Sequence, residues 1–297
     1  AGLRCRPCRS VRRAGGGVAM SRPLAGYIGY DAEPSLTAAP GIWTLREAEF
    51  YKRKAQWPVP FAPDVLTGLQ AWYDASDAST VTESSGSVSQ IDDKSGNDYH
   101  LTQATAGLKP TYETAVQNGL NVITAINDLT YRQTLESSNA SLAAIGNGSF
   151  TVVTVARMNT VGGSTGRADS FSWGSGGFSA AFVRFNNDIN DFRLFFRDDS
   201  NNRVDQNSAD NFWSADQWYV MITTVDGNAI TVYQDNSQVV TGDKTGLNIN
   251  VTKYQMMRPQ DANGSISVGE QVIYNLALST ADRTLLHDYL VAKWGIT

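Results

Sequence analysis

Oxygen-bearing side chains crowd one short stretch of this chain, Asp92-Asp93-Lys94-Ser95-Gly96-Asn97-Asp98. Carboxylates and amides at that density suit calcium, which takes about six to eight oxygen ligands. Asp92, Asp93 and Asp98 are the candidate ligands. The stretch is not an EF-hand, because the glycine and terminal glutamate positions fail. An ordinary turn, with Asp93 or Ser95 bonded to its own backbone, is the favoured reading. Sugar recognition is a second chemistry. It needs aromatic faces to stack on rings and planar polar groups to bond hydroxyls. Tyr99, Trp173, Phe178 and Trp213 lie near predicted strand ends or loops, with Asn186 and Asn187 nearby. Trp72, Trp218 and Trp294 fall inside the periodic pattern and are assigned to the core. Burial is also the commoner fate for Trp173 and Trp213.

Nucleophilic and zinc chemistry are poorly supported. Gly162-Gly163-Ser164-Thr165-Gly166 matches the nucleophile elbow, but Asp169–Trp173 reads as a strand where a helix must follow. Cys5 and Cys8 offer half a zinc site, and only His100 and His287 remain to complete it.

These residues sit in a chain of 297 residues, 41% hydrophobic and 18% charged, which excludes a disordered chain or a coiled coil. No apolar run approaches a membrane helix. The net charge of -5 argues against a dedicated nucleic-acid binder. Residues 1–19 differ from the rest: five arginines, no acid and both cysteines. They read as a disordered leader ahead of a start at Met20. Without those arginines 19 basic residues face 29 acidic ones.

Residues 20–63 form a small module. Thr44-Leu45-Arg46-Glu47 fits a capping box opening a helix from Leu45 to about Gln56. Trp57-Pro58 ends it, and Val59–Pro63 is a stiff connector. From residue 64 onward apolar residues alternate in short runs broken by Gly, Asn, Asp and Ser, the pattern of an antiparallel sandwich or barrel. Expected strands include Gly68–Tyr73, Ser87–Ile91, Asn121–Ala125, Phe150–Arg157, Ala180–Phe185, Phe192–Arg197, Trp218–Val225, Ala229–Tyr233 and Ile266–Tyr274. Asp226-Gly227 predicts a hairpin turn. Ser279-Thr280-Ala281-Asp282 opens a closing helix with Leu285, Leu286, Tyr289 and Leu290 on one face, and Gly295 ends it.

Four stretches then carry a resemblance: Leu69–Asp77; Val88–Asn97 with Gln103–Thr105 and Lys109–Tyr112; the hairpin from Trp218 to Asn236; and Ile273–Ser279 running into Lys293-Trp294-Gly295-Ile296. Residues 64–297 resemble the concanavalin A-like, laminin-G-like domains of bacterial and phage surface proteins. The resemblance implies an all-β fold, an antiparallel jelly-roll β-sandwich with a short N-terminal helical leader and a C-terminal helix. It also implies calcium near loops such as Asp92–Asp98. Gly41–Glu47 and Trp57-Pro58 resemble short leaders of tailed-phage virion proteins. The same roll hosts glucanases, which use paired carboxylates on one strand, but the body has no Glu-x-Asp-x-Glu. Glu47 and Glu49 alternate only on the leader helix.

The expectation is therefore a non-enzymatic phage virion or surface structural protein. Its lectin-like domain would bind glycan or a surface protein, and residues 20–63 would contact other virion proteins. Its place would be the virion or an extracellular surface, with homo-oligomerisation left open. A polysaccharide-degrading hydrolase and a ligand-free decoration protein are the alternatives.

Overall fold

The computed structural model describes residues 45–53, 61–127, 132–160, 166–175, 178–186, 190–261 and 263–297. Two compact units are present, Ala1–Pro60 and Phe61–Thr297. In the first, helix α1 spans Leu45–Arg53 and carries a Glu49–Arg53 ion pair of 2.9 Å one turn apart. The expectations for residues 1–44 and 54–60, Thr44 of the capping box, the helix end near Gln56 and the Trp57-Pro58 stop included, lie outside the described residues.

The second unit opens with β1 (Leu69–Asp74), β2 (Val81–Ser84), β3 (Ser87–Ile91), β4 (Leu101–Thr102), β5 (Thr111–Gln117) and β6 (Leu120–Ile126). β7 (Leu135–Ser137), α2 (Ala140–Ile145), β8 (Phe150–Met158), β9 (Ala168–Ser175), β10 (Phe178–Asn186) and β11 (Asp191–Arg197) follow. The chain closes with β12 (Arg203–Asn207), β13 (Trp218–Asp226), β14 (Ala229–Gln234), β15 (Ser237–Asp243), β16 (Lys253–Pro259), β17 (Ser265–Tyr274) and α3 (Thr280–Trp294). Every pairing is antiparallel. In the first sheet β1 and β6 share one edge of β17, and β8, β13, β14 and β15 continue from its other edge. The second sheet runs β7, β16, β9, β10, β11, β12. β3 pairs both with β4, which meets β7, and with β5, which meets β6, so it joins the two sheets along one side. This is an all-β antiparallel sandwich, as the alternation requires.

The nine expected strands form with ends shifted by two residues at most. The central hairpin turns one residue later than read. Asp226 pairs with Ala229, which leaves Gly227-Asn228 as the two-residue loop, with the glycine at φ 57°. Asp235 and Asn236 both take positive φ in the next hairpin, as a tight primed turn demands.

The core between the sheets is aromatic. Trp173 lies 4.7 Å from Phe150 and 4.9 Å from Tyr254, ring centre to ring centre. Polar groups that cross this core are satisfied: Tyr254 donates to Gln271, whose amide donates to the Thr154 hydroxyl and the Ser170 carbonyl. β8, β13 and β17 are buried along nearly their whole length. Their outer sides lie under α3, which seats Leu286, Leu290 and Trp294 against Trp72, Val153, Trp218 and Val272. That two-sided burial explains why these strands read as near-continuous apolar runs. Leu285 corrects the expected helix face: it points to solvent at 50% exposure, one position round from the stripe. His287, placed off the apolar face, is nonetheless mostly buried, and its Nε2 is buried without a partner.

The Ser279 hydroxyl accepts from the Asp282 N–H at one end of α3, and Gly295 ends it at φ 61°. Close packing of α3 depends on a second glycine. Gly269 sits at a bulge in β17, and a Cβ there would lie 2.6 Å from the Trp294 ring. We expect Gly269→Ala to cost about 1–3 kcal/mol through overpacking. Urea denaturation measures this, and a loss within ~0.5 kcal/mol, the range of a neutral surface change, would mean that the indole can move aside.

Candidate functional site

The oxygen-rich stretch is a clasp for β1. The Asp93 carboxylate accepts from the backbone N–H groups of Trp72 (2.8 Å), Ser95 (2.9 Å) and Tyr99 (3.1 Å) and from the Ser95 hydroxyl (2.7 Å). Ser95 and Asn97 in turn donate to the Gln70 carbonyl. Asp92 accepts from the Gln90 amide at 2.6 Å, and Asp98 is exposed in the left-handed region at φ 58°. Asp92, Asp93 and Asp98 therefore do not converge on a common point. Among the described residues no group of three or more His, Cys, Asp or Glu side chains is placed to hold a metal ion. The loop does not fit the calcium expected of it, because its central carboxylate is already committed to backbone donors.

Two of the expected sugar-stacking rings are inside the sandwich. Trp173 is fully buried and donates to the Leu142 carbonyl, while Trp213 donates to the Asp191 carbonyl. Neither has a free face for a ring to stack on, which corrects their assignment to a ligand site. Tyr99 is half-buried against the core, with its carbonyl accepting from the Tyr73 hydroxyl. The Phe178 backbone belongs to β10, but its side chain and all of Asn187 lie outside the described residues. Asn186 is described, and its amide donates to Asp191 at 2.9 Å on the outer side of the second sheet.

The structure also joins two carboxylates that the sequence separates. Asp74 and Glu270 face each other across β1 and β17. The Lys293 ammonium lies between them, 2.8 Å from Asp74 Oδ2 and 2.7 Å from Glu270 Oε2. Trp72 and Trp294 donate their indole N–H groups to the two Glu270 oxygens at 2.7 and 2.9 Å. Lys94 bridges Asp74 and Asp77 and lies 4.6 Å over the Trp72 ring. Burial and the Asp74 charge push Glu270 above the usual carboxylate range despite Lys293. For Asp74 burial works upward, but Lys293, the Ser76 hydroxyl and Lys94 together hold it low. Each Glu270 oxygen is occupied by fixed donors, so this pair is a staple between helix and sheet and not an open acid–base site.

The outer face of the second sheet is organised differently. Register places two rows of side chains across it. One row is Thr102, Glu136, Gln255, Ser172, Phe182, Phe195 and Asp205. The next is Arg258, Asp169, Arg184, Arg193 and Asn207. Asp169 is fully buried, yet it lies on this outer side; it accepts from Arg184 at 2.7 Å and from Gln260 at 2.7 Å. Burial pushes its pKa up, while Arg184, Arg258 and Arg132 pull against that. Arg258 is lowered by burial. Arg193 grips Asp205 through two bonds of 2.7 Å and holds that carboxyl low. Phe182 and Phe195 stack at 4.8 Å under Arg184 and Arg193. At the β7 end, Glu136 accepts from Lys253 and Gln255, both at 2.9 Å. It also borders a polar groove of about 440 Å³ lined by Thr102, Gln103, Thr105, Ser137 and Ser138.

Of this face, only Asn186 is among the candidate ligand residues that the sequence offers. The polar members of alternating strands, such as Arg184 and Arg193 beside Phe185 and Leu194, were the available signal. It was not specific, because any solvent-facing side of a strand alternates in the same way.

No protein-family model matches the chain, and no curated protein matches it in sequence. Solved structures do match. The binding domain of Paraclostridial Mosquitocidal Protein 1 is similar at TM-score 0.57 and 15% identity, over 77% of this chain and 55% of that one. The binding domain of botulinum neurotoxin DC, in complex with SialylT, is similar at 0.52 and 14%, over 77% and 52%. Trypanosoma rangeli sialidase is similar at 0.49 and 12%, over 82% and 35%. The chain thus spans about half or less of the length of the structures it matches. At such identities the likeness to the two binding domains shows the fold, an antiparallel β-sandwich.

Lys293→Met strands two buried carboxylates, and we expect it to cost about 3–5 kcal/mol in urea denaturation. A loss below ~1 kcal/mol, typical of an exposed pair, would deny the staple its role. The clasp beside it sets an acid limit. Lys94 and Ser79 lower the Asp77 pKa from 3.8 to about 2. Its folded value lies below its unfolded one, so its stabilisation is present above 3.8 and is lost as the pH falls towards 2. Asp77→Asn should flatten that part of the melting profile, and an unchanged drop in Tm across this window would assign the acid sensitivity elsewhere.

Proposed function

We propose that this chain is a non-enzymatic binding module of a virion or other extracellular surface, and that its sandwich recognises glycan through the outer face of the second sheet. The observation that carries this reading is the burial of polar groups on that face. Asp169, Ser172, Arg184 and Asn186 all have under a tenth of their surface exposed, although none points into the core. Burying such groups costs stability unless each is bonded, and a sheet face that only meets water has no need of it. These buried groups hold one another and so fix the side chains around them, and held side chains lose little entropy on binding.

The half-exposed rim of Arg193, Asp205, Gln255, Lys253 and Glu136 supplies accessible donors and acceptors around that centre. The groove beside Glu136 offers more hydroxyl and amide groups. A binding role is favoured over hydrolysis because the adjacent pair Asp74 and Glu270 is locked by Lys293, and Asp169 is committed to Arg184 and Gln260. The likeness to toxin binding domains, one of them in complex with SialylT, lends the same support at the level of fold. The attachment to a particle rests on the resemblance of Gly41–Glu47 and Trp57-Pro58 to leaders of tailed-phage virion proteins.

A glycan array probed with the full chain tests the reading. We expect saturable binding to a restricted set of glycans, weakened at least ~10-fold by Gln255→Ala, as loss of a bond to a polar ligand group implies. Gln238→Ala on exposed β15 should leave it unchanged. Binding to no glycan, or equal loss in both variants, would overturn the assignment to this face.

A further inference from the structure

Asp74, Glu270 and Lys293 are closed to any outside molecule, and for the same reason they are held against one another. The side chains of Asp74 and Glu270 are 5% and 0% exposed, and that of Lys293 is 18% exposed. Aromatic rings wall the site. The Lys293 ammonium lies 5.6 Å from the Trp294 ring and 5.7 Å from that of Tyr289. Keeping two charges in such surroundings is costly, so a reaction that turns an ion pair into a neutral group is favoured there.

The donors around the Asp74 carboxyl are sorted by oxygen. Oδ1 accepts from the Ser76 N–H at 3.1 Å and from the Ser76 hydroxyl at 2.6 Å. Oδ2 faces two ammonium groups, Lys293 at 2.8 Å and Lys94 at 3.1 Å. Two fixed donors on one oxygen of a carboxyl are the arrangement that stabilises an oxyanion. The Lys293 nitrogen, bonded to the other oxygen, is one bond away from the carbon between them. Glu270 Oε2 lies 2.7 Å from the same nitrogen, which puts a base in contact with a nucleophile. Burial and the Asp74 charge raise its affinity for a proton. A simple salt bridge needs neither the second carboxylate nor the separate donors on Oδ1.

We propose that Lys293 and Asp74 condense to an intramolecular amide, a covalent cross-link between α3 and β1, with Glu270 as the base. One proton moves along the 2.8 Å bond from Lys293 to Asp74 Oδ2, leaving a neutral amine beside a neutral carboxyl. The flexible lysine stem swings the nitrogen over the carboxyl plane, and its lone pair forms a bond to Asp74 Cγ. The carbonyl electrons pass to Oδ1, where the Ser76 donors hold the charge. Glu270 takes the second proton from the nitrogen and returns it to Oδ2. The Cγ–Oδ2 bond breaks, water leaves and Oδ1 regains its double bond. Both hydrogens of that water come from the ammonium, and Glu270 ends as it began. Lys94 keeps Asp77 at 2.8 Å, and Glu270 keeps both indole donors, so the product strands no group. The link joins positions 219 apart and ties the first strand of the sandwich to its closing helix. It is independent of the glycan reading.

Mass spectrometry of the full chain tests this directly. We expect the protein to be one water lighter than its sequence. Trypsin should release residues 55–94 joined to residues 284–297, because an acylated Lys293 is no longer cut. Lys293→Arg keeps a cation between the carboxylates but is no nucleophile, and should give the full mass. Glu270→Gln should also give the full mass, with circular dichroism showing that the fold is kept. Ser76→Ala should slow linking in freshly made protein by at least ~10-fold, as loss of oxyanion donors implies. Wild type at full mass, with peptides 55–94 and 284–293 recovered apart, would overturn the proposal whatever the variants do. A link from Lys94 to Asp77 would leave 284–293 free and overturn the pairing. Linking as fast in Glu270→Gln as in wild type would overturn the role of the base.

Discussion

One ammonium group carries the helix-to-sheet side of this protein. Lys293 projects from the last turn of α3 between Asp74 of β1 and Glu270 of β17, and the two flanking indoles complete the hydrogen bonding of Glu270. The carboxylates are opposite each other across a strand pair, so without the cation they would repel in a buried setting. With it, three elements meet at one point. The burial of α3 over Trp72, Trp218 and Val272 depends on that point, because the last helical turn and the edge strand β1 are held by the same bonds. Gly269 belongs to the same design, since the space of its absent side chain is where the Trp294 ring lies. A buried ion pair of this kind contributes less to net stability than to choosing one arrangement, and its loss is costly because the leftover charges stay buried.

The two outer faces of the sandwich follow from that arrangement. In the first sheet α3 covers β8, β13 and β17, so those three strands are buried on both sides. The second sheet carries a polar row outside its aromatic core. Its inward side is fully spent on packing, through Trp173, Phe171, Phe192 and Phe196. Chemistry on this sheet can therefore stand only on the outward side or in the loops around it. That is where Asp169, Arg184, Arg258 and Arg193 are assembled, and where the proposed site lies. The bulges at Ser170 and Met257 matter because without them the β9 and β16 members of the row would take up the ordinary alternation and face the core.

Much of the frame was legible in the residues themselves. Strands such as Phe150–Met158 and Trp218–Asp226 announce themselves by β-branched and aromatic runs between turn signals. The closing helix declares both its ends, by Ser279 and by Gly295, because caps are local chemistry. Leu285 falls off the stripe because the helix packs through Leu286, Leu290 and Trp294, which leaves position 285 towards solvent. Trp173, Trp213 and the Asp92–Asp98 loop follow the readings that their residues favoured, burial and an ordinary turn, and the ligand roles weighed beside them were not legible in sequence for a different reason. A residue type shows that stacking or ligation is chemically available, but not whether the group is already spent on the fold. Asp93 is spent on four donors, and Trp173 is enclosed by Phe150, Phe171 and Tyr254.

The sequence by itself determined what is local: alternation, turn chemistry, helix caps and hence an all-β sandwich with a closing helix. These rest on contacts a few residues apart, which a linear pattern records. Only the tertiary structure decided which charges meet. Lys293 and Asp74 are 219 positions apart, and Asp169 meets Gln260 across 91. Such encounters depend on strand order, register and bulges. A one-residue slip of register turns every side chain of a strand to the other face, so no composition or spacing along the chain specifies the row that results.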